Sequence, residues 1–263
     1  ASPRLLEHLQ TSKFIAAEDT RSLLKLANSL GVKVNARLFS LHEHNEGDRL
    51  DQILEIAKDE PVLVVSDAGM PTVSDPGFKL VRAAIEENIP VEVLPGPSAV
   101  TTALALSGLP TDRFCFEGFV PRTKGARETF FENLKFENRT IVFFEAPHRL
   151  IETLEVAISI LAENREGALC REMTKTYEET IRGTLNQMYS WAKSKEILGE
   201  ITVVVSGATA GAKMLSQQEI IEAVRRYESV GMDRKEAISA VASELELPKR
   251  EVFDAMVAAK NVQ

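Results

Sequence analysis

The chain has 263 residues, 44% hydrophobic and 27% charged, with a formal net charge of −8. This length holds one large α/β domain or two of modest size, and the composition is that of an ordinary globular protein. An overall basic surface is excluded, so any nucleic-acid contact has to come from a local positive patch, and no apolar run is long enough to span a bilayer.

The start, Ala1-Ser2-Pro3-Arg4, has no apolar leader core behind it, which points to the cytoplasm. Phe14-Ile15-Ala16-Ala17 then reads as a strand. Thr20 to Leu30 reads as a helix, with Thr20 as its N-cap and Gly31 as its terminator. Arg37 to Leu41 predicts a short strand and Leu50 to Lys58 a helix. The β-branched run Val62-Leu63-Val64-Val65 predicts a strand buried on both faces. Phe78 to Glu87 is helical, Val91-Glu92-Val93-Leu94 a strand, and Ser98 to Leu106 a helix. This alternation implies a parallel sheet covered by helices.

The rhythm pauses at Leu109-Pro110-Thr111-Asp112, which sets a first domain at 1–110 and a second at 111–207. The second series has strands at Phe114-Cys115-Phe116, Thr140 to Phe144, Ala168-Leu169-Cys170 and Ile201 to Val205. Its helices lie near Arg127 to Leu134, His148 to Leu161 and Leu185 to Ala192. Cys115 and Cys170 sit far apart in apolar runs, as buried reduced thiols do and zinc ligands do not. Gly207-Ala208-Thr209-Ala210-Gly211 reads as a linker. Ser216-Gln217-Gln218-Glu219 then opens a helical region, 213–263, with further helices near Arg234 to Glu244 and Lys249 to Ala259.

The chemistry concentrates in Ser66-Asp67-Ala68-Gly69-Met70-Pro71-Thr72-Val73-Ser74-Asp75-Pro76-Gly77. This stretch lies between a buried strand and a helix, where open α/β sheets place ligands. Gly69 allows close backbone approach, the prolines stiffen the loop, and Asp67 and Asp75 accept hydrogen bonds or cap the next helix. Pro95-Gly96-Pro97-Ser98-Ala99 occupies the same position on the next strand, with Ser98 a natural N-cap. Small residues there leave room for an adenosine, whose polar edges the free N–H groups of the helix start can meet. Neither the dinucleotide Gly-x-Gly-x-x-Gly nor the P-loop pattern is present, and the Gly-x-Ser-x-Gly elbow is missing as well. His42-Glu43-His44 offers two imidazoles on one strand face but no third ligand, so no metal site is expected.

Ser66 to Gly77 resembles the full signature of the ribosomal RNA small subunit methyltransferase I family, within the tetrapyrrole methylase superfamily. The resemblance continues in order through Ala16 to Arg21, Leu41 to Glu46, Pro95 to Ala99, Gly108 to Phe114, Phe144 to Arg149 and Arg171 to Thr176. It implies two α/β domains with a cofactor cleft between them, S-adenosyl-L-methionine as cofactor, and a cytoplasmic homodimer. The activity it implies is methylation of a cytidine ribose 2′-oxygen in the decoding region of 16S rRNA, in the small ribosomal subunit. The implied cofactor pocket falls on Asp67, Ala68, Gly69, Met70, Val73, Ser98 and Ala99, and near Glu145 and Thr174. Family members open with a strand and a Pro-x-Gly-Asn-Leu loop that walls the cofactor site. The sequence given starts after that point.

Methyl transfer from a sulfonium needs in-line alignment and removal of the hydroxyl proton. Asp19, Glu145, His148 and Lys175 are candidates for that proton, with Asp19 and Glu145 foremost as base or substrate orienter. Asp19 serves equally well as a helix cap. A basic rim of Arg21, Arg122, Lys124, Arg127, Arg149, Arg171 and Lys175 is expected to grip the RNA backbone. The alternatives are a tetrapyrrole-type small-molecule methylase on the same fold, or a binding module without catalysis.

Overall fold

A computed structural model describes residues 2–42, 44–208, 217–245 and 249–260. Glu43 of the His42–His44 run, residues 209–211 of the linker and Ser216 of the capping pattern lie outside the described residues.

The first layer is built by α1 (Pro3–Thr11), β1 (Phe14–Ala17), α2 (Thr20–Ser29), β2 (Arg37–Ser40), α3 (Glu46–Asp59), β3 (Val62–Val65) and α4 (Phe78–Glu86). The strands form a parallel sheet in the order β2-β1-β3. Side chains of the central strand alternate between the faces, as the pleat requires. Ile15 and Ala17 join Leu9, Leu23 and Ala27 of α1 and α2, while Ala16 joins Ile53, Leu54 and Leu80 of α3 and α4.

Local capping corrects two expected boundaries. Asp19, not Thr20, is the N-cap of α2, because its carboxylate accepts the Arg21 N–H at 2.8 Å. The end of α2 is as expected. Gly31 takes φ 69°, and Val32 N–H closes back to Ala27 O at 2.9 Å. α3 starts at Glu46, four residues before the apolar run that announced it.

Val91–Leu94 is not a strand. Val91 and Val93 are exposed, and the segment forms no ladder among the described residues. β3 pairs with β1 alone and is only partly buried along its length, not enclosed on both faces. β-branched composition favours a pleated surface but does not supply the neighbour whose N–H and C=O groups make one.

The second layer contains α5 (Ala99–Ser107), β4 (Phe114–Phe119), α6 (Lys124–Leu134), β5 (Thr140–Glu145), a 3₁₀ turn at Pro147–Arg149, α7 (Leu150–Leu161), β6 (Glu166–Arg171), β7 (Glu179–Thr184), α8 (Leu185–Lys193) and β8 (Ile201–Val205). The strand order is β4-β5-β8-β6-β7, with only β4 and β5 parallel. Ile141, Phe143, Leu169, Val203 and Val205 point towards α6, α7 and α8. Val142, Ala168, Cys170 and Val204 point the other way, against Val100, Ala103 and Leu104 of α5. α5 thus follows the first sheet in sequence but packs on the second. Arg182 of β7 fastens it there, donating to Leu106 O at 2.7 Å. Both cysteines are free and buried, and desolvation pushes the Cys115 thiol up to about 11.

α9 (Gln217–Ser229), α10 (Arg234–Glu244) and α11 (Lys249–Lys260) pack together around Val224, Ala237, Val241 and Val252. Among the described residues no helix is long and apolar enough to cross a membrane.

Candidate active site at the meeting of two loops

The segment after β3 is held in an unusual backbone conformation. Positive φ occurs at Gly69 (83°), Thr72 (76°), Ser74 (59°) and Gly77 (113°). A β-branched residue in that region is strained, and such strain persists only where surroundings enforce it. The enforcement is local and tertiary. Thr72 N–H donates to Pro76 O at 3.2 Å, and Val73 N–H to Met70 O at 3.3 Å. Beneath the loop, the buried carboxylate of Glu46 accepts from the N–H groups of Gly77, Lys79 and Leu80 at 3.1, 2.9 and 3.3 Å. It caps α4, whose own N-cap glycine has no side chain to do so.

The Pro95–Ala99 segment meets this loop directly. A methyl group added at Gly96 would stand 3.3 Å from Met70 Sδ and 3.9 Å from Gly69 O. One added at Gly69 would stand 4.0 Å from Pro97 O. Gly96 thus lets the two loops approach closely, and a side chain there would have to displace Met70. Ser98 is the N-cap of α5 as expected by position, yet its hydroxyl makes no capping bond. The start of α5 thus presents amide donors without a side-chain cap.

The strand-end carboxylates interlock. Asp67 N–H donates to Glu18 Oε2 at 3.1 Å, and Asp67 Oδ1 accepts from Asp19 N–H at 3.2 Å. Asp19 is paired with Arg21 at 2.9 Å, and Arg21 holds its carboxyl down at about 2. That makes it a cap and a weak base. Asp75 is the opposite case. Burial and then the Glu18 charge, with smaller effects of Asp67 and Glu200, push it up to about 6, against a hydroxyl hydrogen bond from Ser66. The loop reaches the second sheet, because a methyl group at Gly118 in the β4 bulge would stand 3.9 Å from Ser74 Oγ. The neighbouring Phe119 is 58% exposed.

Asp67, Ala68, Gly69, Met70, Val73, Ser98 and Ala99 thus belong to one loop pair. Thr174 stands outside that pair, exposed in the turn after β6. Its N–H donates to Glu178 Oε2 at 2.6 Å, while the adjacent Met173 packs on the α5 cluster. Glu145 does not face a ligand. Its enclosed carboxylate accepts from Thr153 Oγ1 at 2.5 Å and Ala146 N–H at 2.7 Å and is paired with Arg149. With its lone pairs so occupied it is a structural acceptor, which removes the physical basis for Glu145 as base or cofactor contact.

The expected basic rim divides in the same way. Arg21, Arg122, Lys124 and Lys175 are exposed. Arg127 is 2% exposed and bonds Glu152 at 3.1 Å and Arg122 O at 3.2 Å. Arg149 donates to Val120 O at 3.1 Å, and Arg171 to Leu198 O at 3.1 Å while pairing with Glu179. These three guanidiniums are turned inward onto protein carbonyls and carboxylates, which leaves less of them for a phosphate. Lys175 is shared by Glu172 at 2.9 Å and Glu200 at 3.1 Å, which raises its pKa and makes it a poor proton acceptor. His148 lines a shallow hollow of about 470 Å³ with Pro147, Ile151, Lys195 and Leu198, apart from the loop pair. Among the described residues no three His, Cys, Asp or Glu side chains converge as metal ligands.

The sequence pointed to neither Glu46 as the cap of α4 nor Gly118, and offered Asp75 as a hydrogen-bond acceptor or a cap of the next helix. The signal for Glu46 was a helix opening at glycine with no cap of its own.

One glycine-bearing loop at the end of β3 meets a second that leads into α5, with a mixed second sheet facing them, and this architecture is a known one. Residues 1–189 match the family of Tetrapyrrole (Corrin/Porphyrin) Methylases, and the chain belongs to it. The methyltransferase CobJ superposes with a TM-score of 0.59 over 79% of this chain and 88% of its own, at 18% identity. Diphthine synthase does so at 0.58 over 78% and 84%, at 16% identity. At such identities the likeness is one of fold.

Sequence narrows the class further. The ribosomal RNA small subunit methyltransferase I of Mycobacterium tuberculosis (strain ATCC 25618 / H37Rv) is 46% identical, over 98% of this chain and 90% of its own length. That of Bacillus subtilis (strain 168) is 41% identical over 96% and 87%. The chain is a member of the ribosomal RNA small subunit methyltransferase I family.

Proposed function

We propose that this protein transfers a methyl group from S-adenosyl-L-methionine to the 2′-oxygen of a cytidine ribose in the decoding region of 16S rRNA. The observation that carries the reading is the contact between Gly69, Met70, Gly96 and Pro97. It joins the loop after β3 and the segment leading into α5 into one surface of exposed backbone beside the uncapped start of α5. That surface suits the donor. Backbone at Ala68, Gly69 and Met70 and amides at Ser98 and Ala99 match the polar edges of an adenosine, with Val73 as an apolar wall and Thr174 farther out. The carboxylates of Glu18 and Asp67 favour its sulfonium and ammonium charges.

When bound, the donor supplies an electrophilic methyl group on a positively charged sulfur. The chain's share is to fix the angle of approach, exclude water and accept the hydroxyl proton. Arg21, Arg122, Lys124 and Lys175 are the exposed cations for phosphate contacts. The reading carries with it a cytoplasmic homodimer, and units at 1–110, 111–207 and 213–263. Incubating the protein and tritiated-methyl donor with small ribosomal subunits should label a 2′-O-methylcytidine in 16S rRNA. Label on a supplied tetrapyrrole instead, or on neither substrate, overturns the reading.

A further inference from the structure

The carboxylates around the loop pair are committed to different tasks. Asp19 is locked to Arg21, and Glu145 is enclosed. Asp67 and Glu18 each hold a backbone amide of the neighbouring strand end. Glu200 is exposed and shares Lys175 with Glu172. Asp75 is partly buried, forms no ion pair among the described residues and, unlike Glu18 and Asp67, holds no backbone amide there.

Its position is fixed from both sides. The bond from Thr72 N–H to Pro76 O closes the chain around it, and Ser74 and Gly77 flank it at positive φ. Ser74 touches the β4 bulge at Gly118. Asp75 therefore stands where the donor loop faces the second sheet. The charged groups around it are Glu18 at the end of β1, Asp67 on its own loop, and Glu200 before β8 with Lys175 behind it.

We propose that Asp75 is the catalytic base of the methyl transfer, an assignment that rests on the function proposed above. Its carboxylate takes the proton of the ribose 2′-hydroxyl as that oxygen forms its bond to the methyl carbon. The carbon–sulfur bond breaks with its electron pair staying on sulfur, which leaves as a neutral thioether. Asp75 then returns the proton to water. A carboxyl raised to about 6 is largely ionised at neutral pH yet a stronger base than an ordinary aspartate.

The test compares wild type, Asp75→Asn and Glu18→Gln as full-length proteins. Asp75→Asn should lose methyl transfer to small subunits by roughly 10²- to 10⁴-fold. Its affinity for S-adenosylhomocysteine, measured by calorimetry, should stay within about threefold. In unliganded wild type the Asp75 carboxyl, followed by ¹³C NMR and assigned by its loss in Asp75→Asn, should titrate near 6. Glu18→Gln should move that titration to lower pH. The assignment is overturned by full activity in Asp75→Asn, by an equal loss of S-adenosylhomocysteine binding, or by a wild-type titration near the ordinary value of about 3.9. Should Asp75→Asn fail to fold, the carboxyl is assigned through Glu18→Gln and the wild-type titration decides. Wild type that binds no S-adenosylhomocysteine and labels no RNA overturns the functional reading and the base assignment with it. Labelling by wild type with an active Asp75→Asn overturns the assignment alone.

Discussion

Asp75 has a stability signature as well as a kinetic one. Its folded-state pKa of about 6 lies above its ordinary 3.8, so the folded protein holds that proton more tightly than the unfolded chain. The penalty on the ionised form is therefore absent at low pH, grows as pH rises from 3.8 to about 6, and is complete above it. Asp75→Asn removes the penalty. Its Tm should exceed that of wild type at pH 7.5 and converge with it near pH 4, by scanning calorimetry. Equal Tm values at both pH values would contradict the buried, uncompensated carboxylate. Stability given up at a site of chemistry is a common trade. The sequence displayed this carboxyl plainly, in a loop of small and rigid residues, but its environment comes from Glu18 and Glu200, far away along the chain. Local spacing cannot report that.

At the scale of elements, Arg127 shows what a charge count misses. It lies on α6 with Phe131 and Leu134, spaced i, i+4 and i+7, so it shares their inward face. Its guanidinium ties α6 to Glu152 of α7 and to Arg122 O in the preceding loop. Arg127→Ala should lower unfolding free energy by about 1–3 kcal/mol in urea titration, through lost packing and an orphaned carbonyl. Lys124→Ala, one turn away and exposed, should be near neutral in the same assay. The parallel first sheet and α2, α3 and α4 were legible from alternation, because β1 and β3 are short apolar runs between clear caps, whereas α1 was not. The antiparallel pairings of β8 and the whole of β7 were not. Strand direction has no local period, and Glu-Thr-Ile-Arg-Gly-Thr at the edge carries no apolar run. Val91–Leu94 failed for the complementary reason: the composition of a strand with no neighbour to pair with among the described residues.

Across the whole molecule, net charge and local charge oppose each other. With −8 overall, an RNA has to be held by a small set of exposed cations against a repulsive background. Replacing Arg122 and Lys124 together by alanine should reduce the slope of log K against log salt by about 1–2, in filter binding of 16S fragments. An unchanged slope would remove that loop from the contact set. The expected rim divides into four exposed cations and three inward ones for a simple reason. Arginines at strand and helix ends are long enough to fold back onto carbonyls, as Arg149 and Arg171 do, while those in the open loop before α6 have nothing to fold onto.

α5 has one further implication for mechanics. The Pro95–Ala99 side of the loop pair continues into a rod bolted to the five-stranded sheet, whereas the Ser66–Gly77 side grows from the three-stranded one. Any swing of one half against the other must pry the two loops apart or squeeze them together. On the proposed function, grip on the methyl donor and the spacing offered to a nucleic acid become a single mechanical coordinate, and S-adenosylhomocysteine should slow amide exchange across the seam at Ser74 and Gly118 as well as beside the ligand.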